Sequence, residues 1–352
     1  MRFKCFVQQP QSLIRMLTSL SHMAKDCLIV LSKQTWKFMI NEKFVQSSHP
    51  QCYASLPIRY VFSHYMIESK ANNHILLHIN MKNLLAALKS VKEFNAQMTC
   101  LKLTKKKQIA TLSFEMWNDH GNELRLDLIQ DVAVRVVQHS KLFLYEEPQL
   151  GAYHASSNFP PLKSIKTVIE RMRVINSSVS REKANLFINN ENGKFLLQYQ
   201  NEHCSVKTFF LKLGLDNKAL HDQQDSIQRE REHVRACVDL KFLLKVIQAL
   251  APLQTQQIVI AITKKTCVTI HARLADHLQE EEEKGLFDDV EDDEDVNSAR
   301  VTFYLCVYID DESEDEEEED EEEADDDEEE DDGNQGDMNE GDDDQDMQDA
   351  DD

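Results

Sequence analysis

Glycine is scarce in this sequence, with eight in 352 residues. None falls in a phosphate-cradling loop or a dinucleotide fingerprint, and no G-x-S-x-G elbow occurs. Neither C-x-x-C nor H-E-x-x-H is present, so ordinary zinc spacings are missing. His74 and His78 would share one face of a strand, about 13 Å apart, too far for a single ion. Long apolar runs are missing as well: no stretch of 18 such residues exists to span a membrane as a helix. The start, MRFKCFVQQP, lacks the apolar centre of a secretory signal. The expectation is a protein with no catalytic site, no cofactor, no metal and no membrane contact. Eight cysteines, at 5, 27, 52, 100, 204, 237, 267 and 306, read as reduced, packed thiols rather than a disulfide frame.

Basic charge is nearly absent from one end. From Gln279 to Asp352 there are 41 acidic residues against Lys284 and Arg300, whereas residues 1–278 hold 22 acidic and 37 basic ones. The net −24 therefore divides into +15 and −39. Such asymmetry marks a basic body facing a polyanion, joined to an acidic tail. The tail, 310–352, lacks the apolar surface to offset ordering entropy and is expected to be disordered. On charge alone it would compete with DNA for the basic body at low salt. Ser313, set in DDESEDEE, is a candidate for regulatory phosphorylation by a kinase that prefers acidic surroundings.

What is present is a repeated order of strands and amphipathic helices. "QSLIRMLTSLSHMA" places Leu13, Met16, Leu17 and Leu20 on one helical face, and Pro10 suits its entry. "MKNLLAALKSVKEF" does the same with Leu84, Leu85, Leu88 and Val91. Two further helices are expected over "PPLKSIKTVIERMRVIN" and "LKFLLKVIQAL". Short strands fill the intervals, with hairpin turns at Asn118–Asn122 and Asn192–Gly193. Periodicity is lost over 139–158, which reads as a connector. MKNLL at 81–85 and LKFLL at 240–244 fall at the same place in two halves, pointing to internal duplication. The expected division is 1–138, connector 139–158, and 159–309 with an acidic insert at 279–296.

The helix faces opposite the apolar stripes share one sign. They carry Arg15; Lys82, Lys89 and Lys92; Lys163, Lys166 and Arg173; and Lys241 and Lys245. These nine are the candidate DNA-binding residues. No base-reading motif accompanies them, so contact would be to backbone phosphates without sequence specificity. "TKKKQ" at 104–108 reads either as a nuclear signal or as a strand turn.

The duplicated order of four helices and many strands resembles the sliding clamps. MRFKCF, LKSIKTVIERMRVIN and GKFLLQYQNEHCSVKTFFLKLG are similar to the opening strand, third helix and following strands of the Hus-type subunit of the heterotrimeric DNA-damage checkpoint clamp. The resemblance covers most of 1–275; the acidic insert and tail are departures from it. It implies an α+β clamp fold of two similar domains, with four helices on the inner face of antiparallel sheets. It also implies assembly with two Rad-type clamp subunits, loading by a clamp loader onto double-stranded DNA at primer–template junctions, service to repair and checkpoint proteins, and residence in the nucleus. By analogy the strands at 123–137 and 203–211 would be free sheet edges, although 203–211 also reads as an internal strand. Two other readings remain: a histone chaperone acting through its acidic tail, and a homotrimeric replication clamp.

Overall fold

Two turns of sequence logic recur at the helix starts. Asn80 precedes MKNLL and its side chain accepts from the Asn83 backbone N–H at 3.2 Å, while Asp239 precedes LKFLL and accepts from the Lys241 N–H at 2.7 Å. Each thus satisfies an orphan donor of a first helical turn. The duplicated motif therefore includes its cap. Asn95, in the left-handed region with φ 49°, ends the first of these two helices.

The computed structural model describes residues 1–41, 49–119, 124–175, 183–189, 194–201, 204–211, 213, 233–275 and 298–308. The tips of both expected hairpin turns, the acidic insert, and the tail with Ser313 lie outside them. In chain order the first half comprises β1 (Arg2–Val7), α1 (Pro10–Met23), β2 (Asp26–Leu31), β3 (Thr35–Ile40), β4 (Gln51–Pro57), β5 (Phe62–Glu68), β6 (Ile75–Asn80), α2 (Met81–Phe94), β7 (Met98–Lys106), β8 (Ile109–Asp119) and β9 (Leu124–Val137). A 3-10 turn over His139–Tyr145 leads into the second half. That half holds β10 (Ala155–Asn158), α3 (Leu162–Ile175), β11 (Lys183–Asn189), β12 (Lys194–Gln200), β13 (Ser205–Phe210), β14 (His233–Asp239), α4 (Leu240–Leu250), β15 (Thr255–Thr263), β16 (Cys267–Leu274) and β17 (Arg300–Cys306).

The strands form two antiparallel sheets. One has thirteen strands in the order β10-β15-β16-β17-β4-β3-β2-β6-β9-β8-β7-β1-β5, and the other has four, β13-β12-β11-β14. The halves are sewn together where β17 pairs with β4, from Arg300↔Ser55 to Tyr304↔Gln51. Residues 1–308 make one unit and 309–352 another. An isolated bridge, Cys237↔Tyr308, ties the end of the body to β14.

The core lies between sheet and helices. Leu17, Leu88, Ile169 and Leu243 are fully buried from the helix side, and Phe38, Phe114, Phe195 and Phe303 from the strands. A smaller apolar cluster covers the other face of the seam, where Leu28, Tyr53, Cys267 and Tyr304 meet Tyr145. The region expected to be a plain connector is more ordered than its sequence suggests. Asn41 Nδ2 donates to the Leu144 carbonyl at 2.8 Å, the Tyr53 hydroxyl to the Glu146 carbonyl at 3.2 Å, and the Tyr304 hydroxyl to a Glu147 carboxylate oxygen at 2.8 Å. Its last residues form β10, which pairs with β15 from Ala155↔Ile262 to Asn158↔Val259.

Candidate nucleic-acid interface and subunit edges

The four helices lie side by side in the order α2–α1–α4–α3, so α1 of the first half abuts α4 of the second. Each turns its apolar stripe to the sheet, because the residues spaced three and four apart along it are the buried ones. The opposite faces carry the amines. Lys82, Lys89 and Lys92 on α2 are exposed, as are Lys163 on α3 and Lys241 on α4. Lys166 is half-exposed and lies 3.8 Å from Glu170, a surface pair of small energetic weight. Arg173 is half-exposed at the end of α3. Arg15 is half-exposed on α1, and its guanidinium donates to the Gln254 side chain, just beyond α4, across the junction of the halves. Lys245 is half-buried, and burial together with the nearby Lys241 charge lowers its pKa. A phosphate brought to this pair would oppose both effects, because a nearby anion favours the charged amine.

Charge is unevenly shared between the halves. Among the described residues of 155–308, fourteen Lys and Arg stand against only Glu170 and Asp239. No pattern of bases can be read by such a surface, whose donors are long, separated and flexible. It suits the phosphate backbone, where attraction is summed over contacts.

Two strands expose pairing groups. Among the described residues β13 is an edge of the four-stranded sheet. The Asn201 N–H donates to the Cys204 carbonyl at 2.9 Å, which fixes the alternation along β12–β13. By that alternation the N–H groups of Ser205, Lys207 and Phe209 point away from β12. Phe209 is 61% exposed. β9 lies within the larger sheet, yet β6 covers only Val134–Val137 of it. Along the remainder, β8 is the one neighbour among the described residues. Leu126 and Ile129 are exposed there. Both strands are those the sequence comparison with clamps marked as edges.

The histidines considered for metal lie apart in role. His78 sits in β6 opposite Arg135, and burial, then that guanidinium, lower its pKa. His74 precedes β6 and stacks near His139, ring centroids 6.0 Å apart. Sequence reasoning missed the connector anchors Asn41, Tyr53 and Tyr304, whose partners lie about a hundred residues or more away along the chain. No local signal reports such contacts.

Comparison with known proteins gives a consistent picture. The Hus1-like protein family matches residues 1–283. Checkpoint protein hus1 of Schizosaccharomyces pombe is 23% identical over 325 residues, covering 88% of this chain and 100% of that protein. Checkpoint protein HUS1 of Homo sapiens is 27% identical over 237 residues, 66% of this chain and 80% of its own length. The Dictyostelium discoideum homologue is 21% identical over 276 residues, 78% of this chain and 95% of that protein.

Proposed function

The chain belongs to the Hus1-like protein family, a family of sliding-clamp fold, and we propose from this membership and its two open strands that it is one segment of a DNA-damage checkpoint clamp. The observation that carries the assembly is the seam inside the chain. In the duplicated order β17 holds the place of β9, and β4 holds the place of β13. The β17–β4 pair is therefore the template for joining β9 of one segment to β13 of the next. Head-to-tail joints of this kind close into a ring when the rotation permits.

Two Rad-type clamp subunits take up the two edges, and the ring lies around double-stranded DNA at primer–template junctions after placement by a clamp loader. Lys82, Lys89, Lys92, Lys163, Lys166, Arg173, Lys241 and Lys245 face phosphates, with Arg15 acting through the joint between the halves. Repair and checkpoint proteins then use the ring as a scaffold in the nucleus. The reading assigns the chain no catalytic step. Purification of the tagged full chain from nuclear extract tests it. Two further clamp-like proteins in equal amounts are expected; a stable homotrimer needing no other subunit would overturn it.

A further inference from the structure

Among the eight cysteines one pair stands directly opposite across a strand ladder: Cys267 on β16 and Cys306 on β17. Cys5 opposes Leu101 while Cys100 opposes Phe6, so those two point to opposite faces. Cys27 opposes Ile79, and Cys52 lies between Ile40 and Phe303. The kind of pairing at Cys267 follows from the far end of the same ladder. There the Leu274 N–H donates to the Ala299 carbonyl at 2.9 Å, which makes 274 and 299 a hydrogen-bonded pair. Pair types alternate, the ladder between has no register shift, and Cys267 is an odd number of steps away. Cys267 and Cys306 thus form a narrow, non-hydrogen-bonded pair, with Cα atoms about 4.5 Å apart.

We propose that Cys267 and Cys306 are a modification site, closing a reversible disulfide across β16 and β17 in response to peroxide. The Cα separation falls inside the range of roughly 4.4–6.8 Å that disulfides take. The Cβ separation of such a pair, about 4.5 Å or a little more, exceeds the usual disulfide value of about 3.8 Å. Closure therefore stores strain, and strained links are the more easily reduced ones. This argues for a labile link rather than a structural staple.

Access sets the order of events. Cys306 is exposed at the end of β17 and meets the oxidant first. Cys267 is buried beside Tyr304 in the cluster on the outer face of the seam, and that burial raises its pKa and keeps it a thiol. The Cys306 thiolate attacks one oxygen of hydrogen peroxide, the O–O bond breaks, and a sulfenic acid and hydroxide result. The Cys267 sulfur then attacks the sulfenic sulfur, the S–O bond breaks, and the thiol proton leaves with the departing hydroxide as water. Overall two thiols and one peroxide give one disulfide and two waters. A dithiol reductant reverses the change.

The link would tie the turn before β16 to the last residues of the body. Two residues before Cys306, Tyr304 holds Glu147 of the connector; two residues after it, the Tyr308 N–H donates to the Cys237 carbonyl at 2.9 Å. Oxidation would therefore stiffen both the floor under the connector and the junction with the four-stranded sheet.

The test treats the reduced full chain with dilute hydrogen peroxide, blocks remaining thiols, and reads digests by mass spectrometry. A cross-linked peptide joining Cys267 to Cys306, lighter by two hydrogens and lost on dithiothreitol treatment, is expected. In Cys267→Ser the sulfenic acid should persist at Cys306 and be captured by dimedone, while in Cys306→Ser position 267 should stay reduced. A dimedone adduct at Cys306 of the unaltered chain without the cross-link would overturn the proposal. So would a disulfide between two chains through Cys306.

Discussion

β17 and β4 hold the same places in the repeat as β9 and β13, yet the two pairs meet opposite fates. At the seam Val301, Thr302, Phe303 and Tyr304 are all buried, with Phe303 fully so. On the open strands Leu126, Ile129 and Phe209 face outward. The backbone is equivalent; only cover differs. An uncovered strand with apolar side chains is costly to keep, since it invites pairing with any chain. Its retention in both halves argues for a specific partner at each edge.

Truncation should separate the two situations most sharply. Phe303→Ala removes a fully buried ring at the seam and should cost about 3–5 kcal/mol, read as a lower midpoint in urea. Phe209→Ala should leave the stability of the isolated chain within roughly 0.5 kcal/mol. If both changes destabilised the isolated chain equally, β13 would already be covered and the comparison would fail.

A second change acts on the backbone of the open edge alone. Lys207→Pro removes an N–H that points away from β12, so the internal ladder keeps its bonds. Association with the neighbouring clamp subunit should weaken about tenfold or more, equivalent to at least about 1.4 kcal/mol. Circular dichroism of the isolated chain should be unchanged. Thr208→Pro, whose N–H points into the ladder, should instead unfold the β12–β13 hairpin.

The third prediction concerns the helix layer. In the assembled complex, Lys82→Ala, Lys163→Ala and Lys241→Ala should each lower the slope of log affinity against log salt by about 0.9 for duplex DNA of any sequence. Arg15→Ala should leave that slope alone and loosen the contact between the halves, because its guanidinium is engaged by Gln254. Equal effects of Arg15 and Lys82 would return Arg15 to the phosphate-binding set.

How much of this was readable beforehand depends on distance along the chain. The helix spacing of Leu13, Met16, Leu17 and Leu20 is local, and α1 begins at Pro10 as its sequence indicates. α2 and α4 match their sequence ranges, 81–94 and 240–250, because stripe and cap lie within one segment. β10 escapes notice since Ala-Ser-Ser-Asn has no alternation; its strand character comes from β15, a hundred residues on. The double role of β9, paired with β8 from Leu124 to Val134 and with β6 from Val134 to Val137, is likewise set by strands from elsewhere. The exposed amines were legible from helix periodicity, but the hydrogen bond from Arg15 to Gln254 was not, because that partner lies 239 residues away. The facing of Cys267 and Cys306 depends on register across a long insert, which composition cannot supply.

The smallest expected effect distinguishes the two ends of β9. At its closed end Arg135 stands opposite His78 of β6, which is half-buried, and burial and that charge hold the histidine pKa below its ordinary value. The unfolded chain therefore takes up the proton first as pH falls. Wherever the unfolded state binds more protons, stability rises with pH. Stability should thus be lost from just above the ordinary histidine pKa of about 6.5 down to the lowered folded value. His78→Gln should flatten this portion of the curve, read as a smaller difference between urea midpoints at pH 7.5 and pH 5.5. Arg135→Gln should shrink the same difference by a lesser amount, because burial, the larger cause, remains. A change at the open end such as Ile129→Gln should leave the pH dependence untouched, since β6 does not reach it.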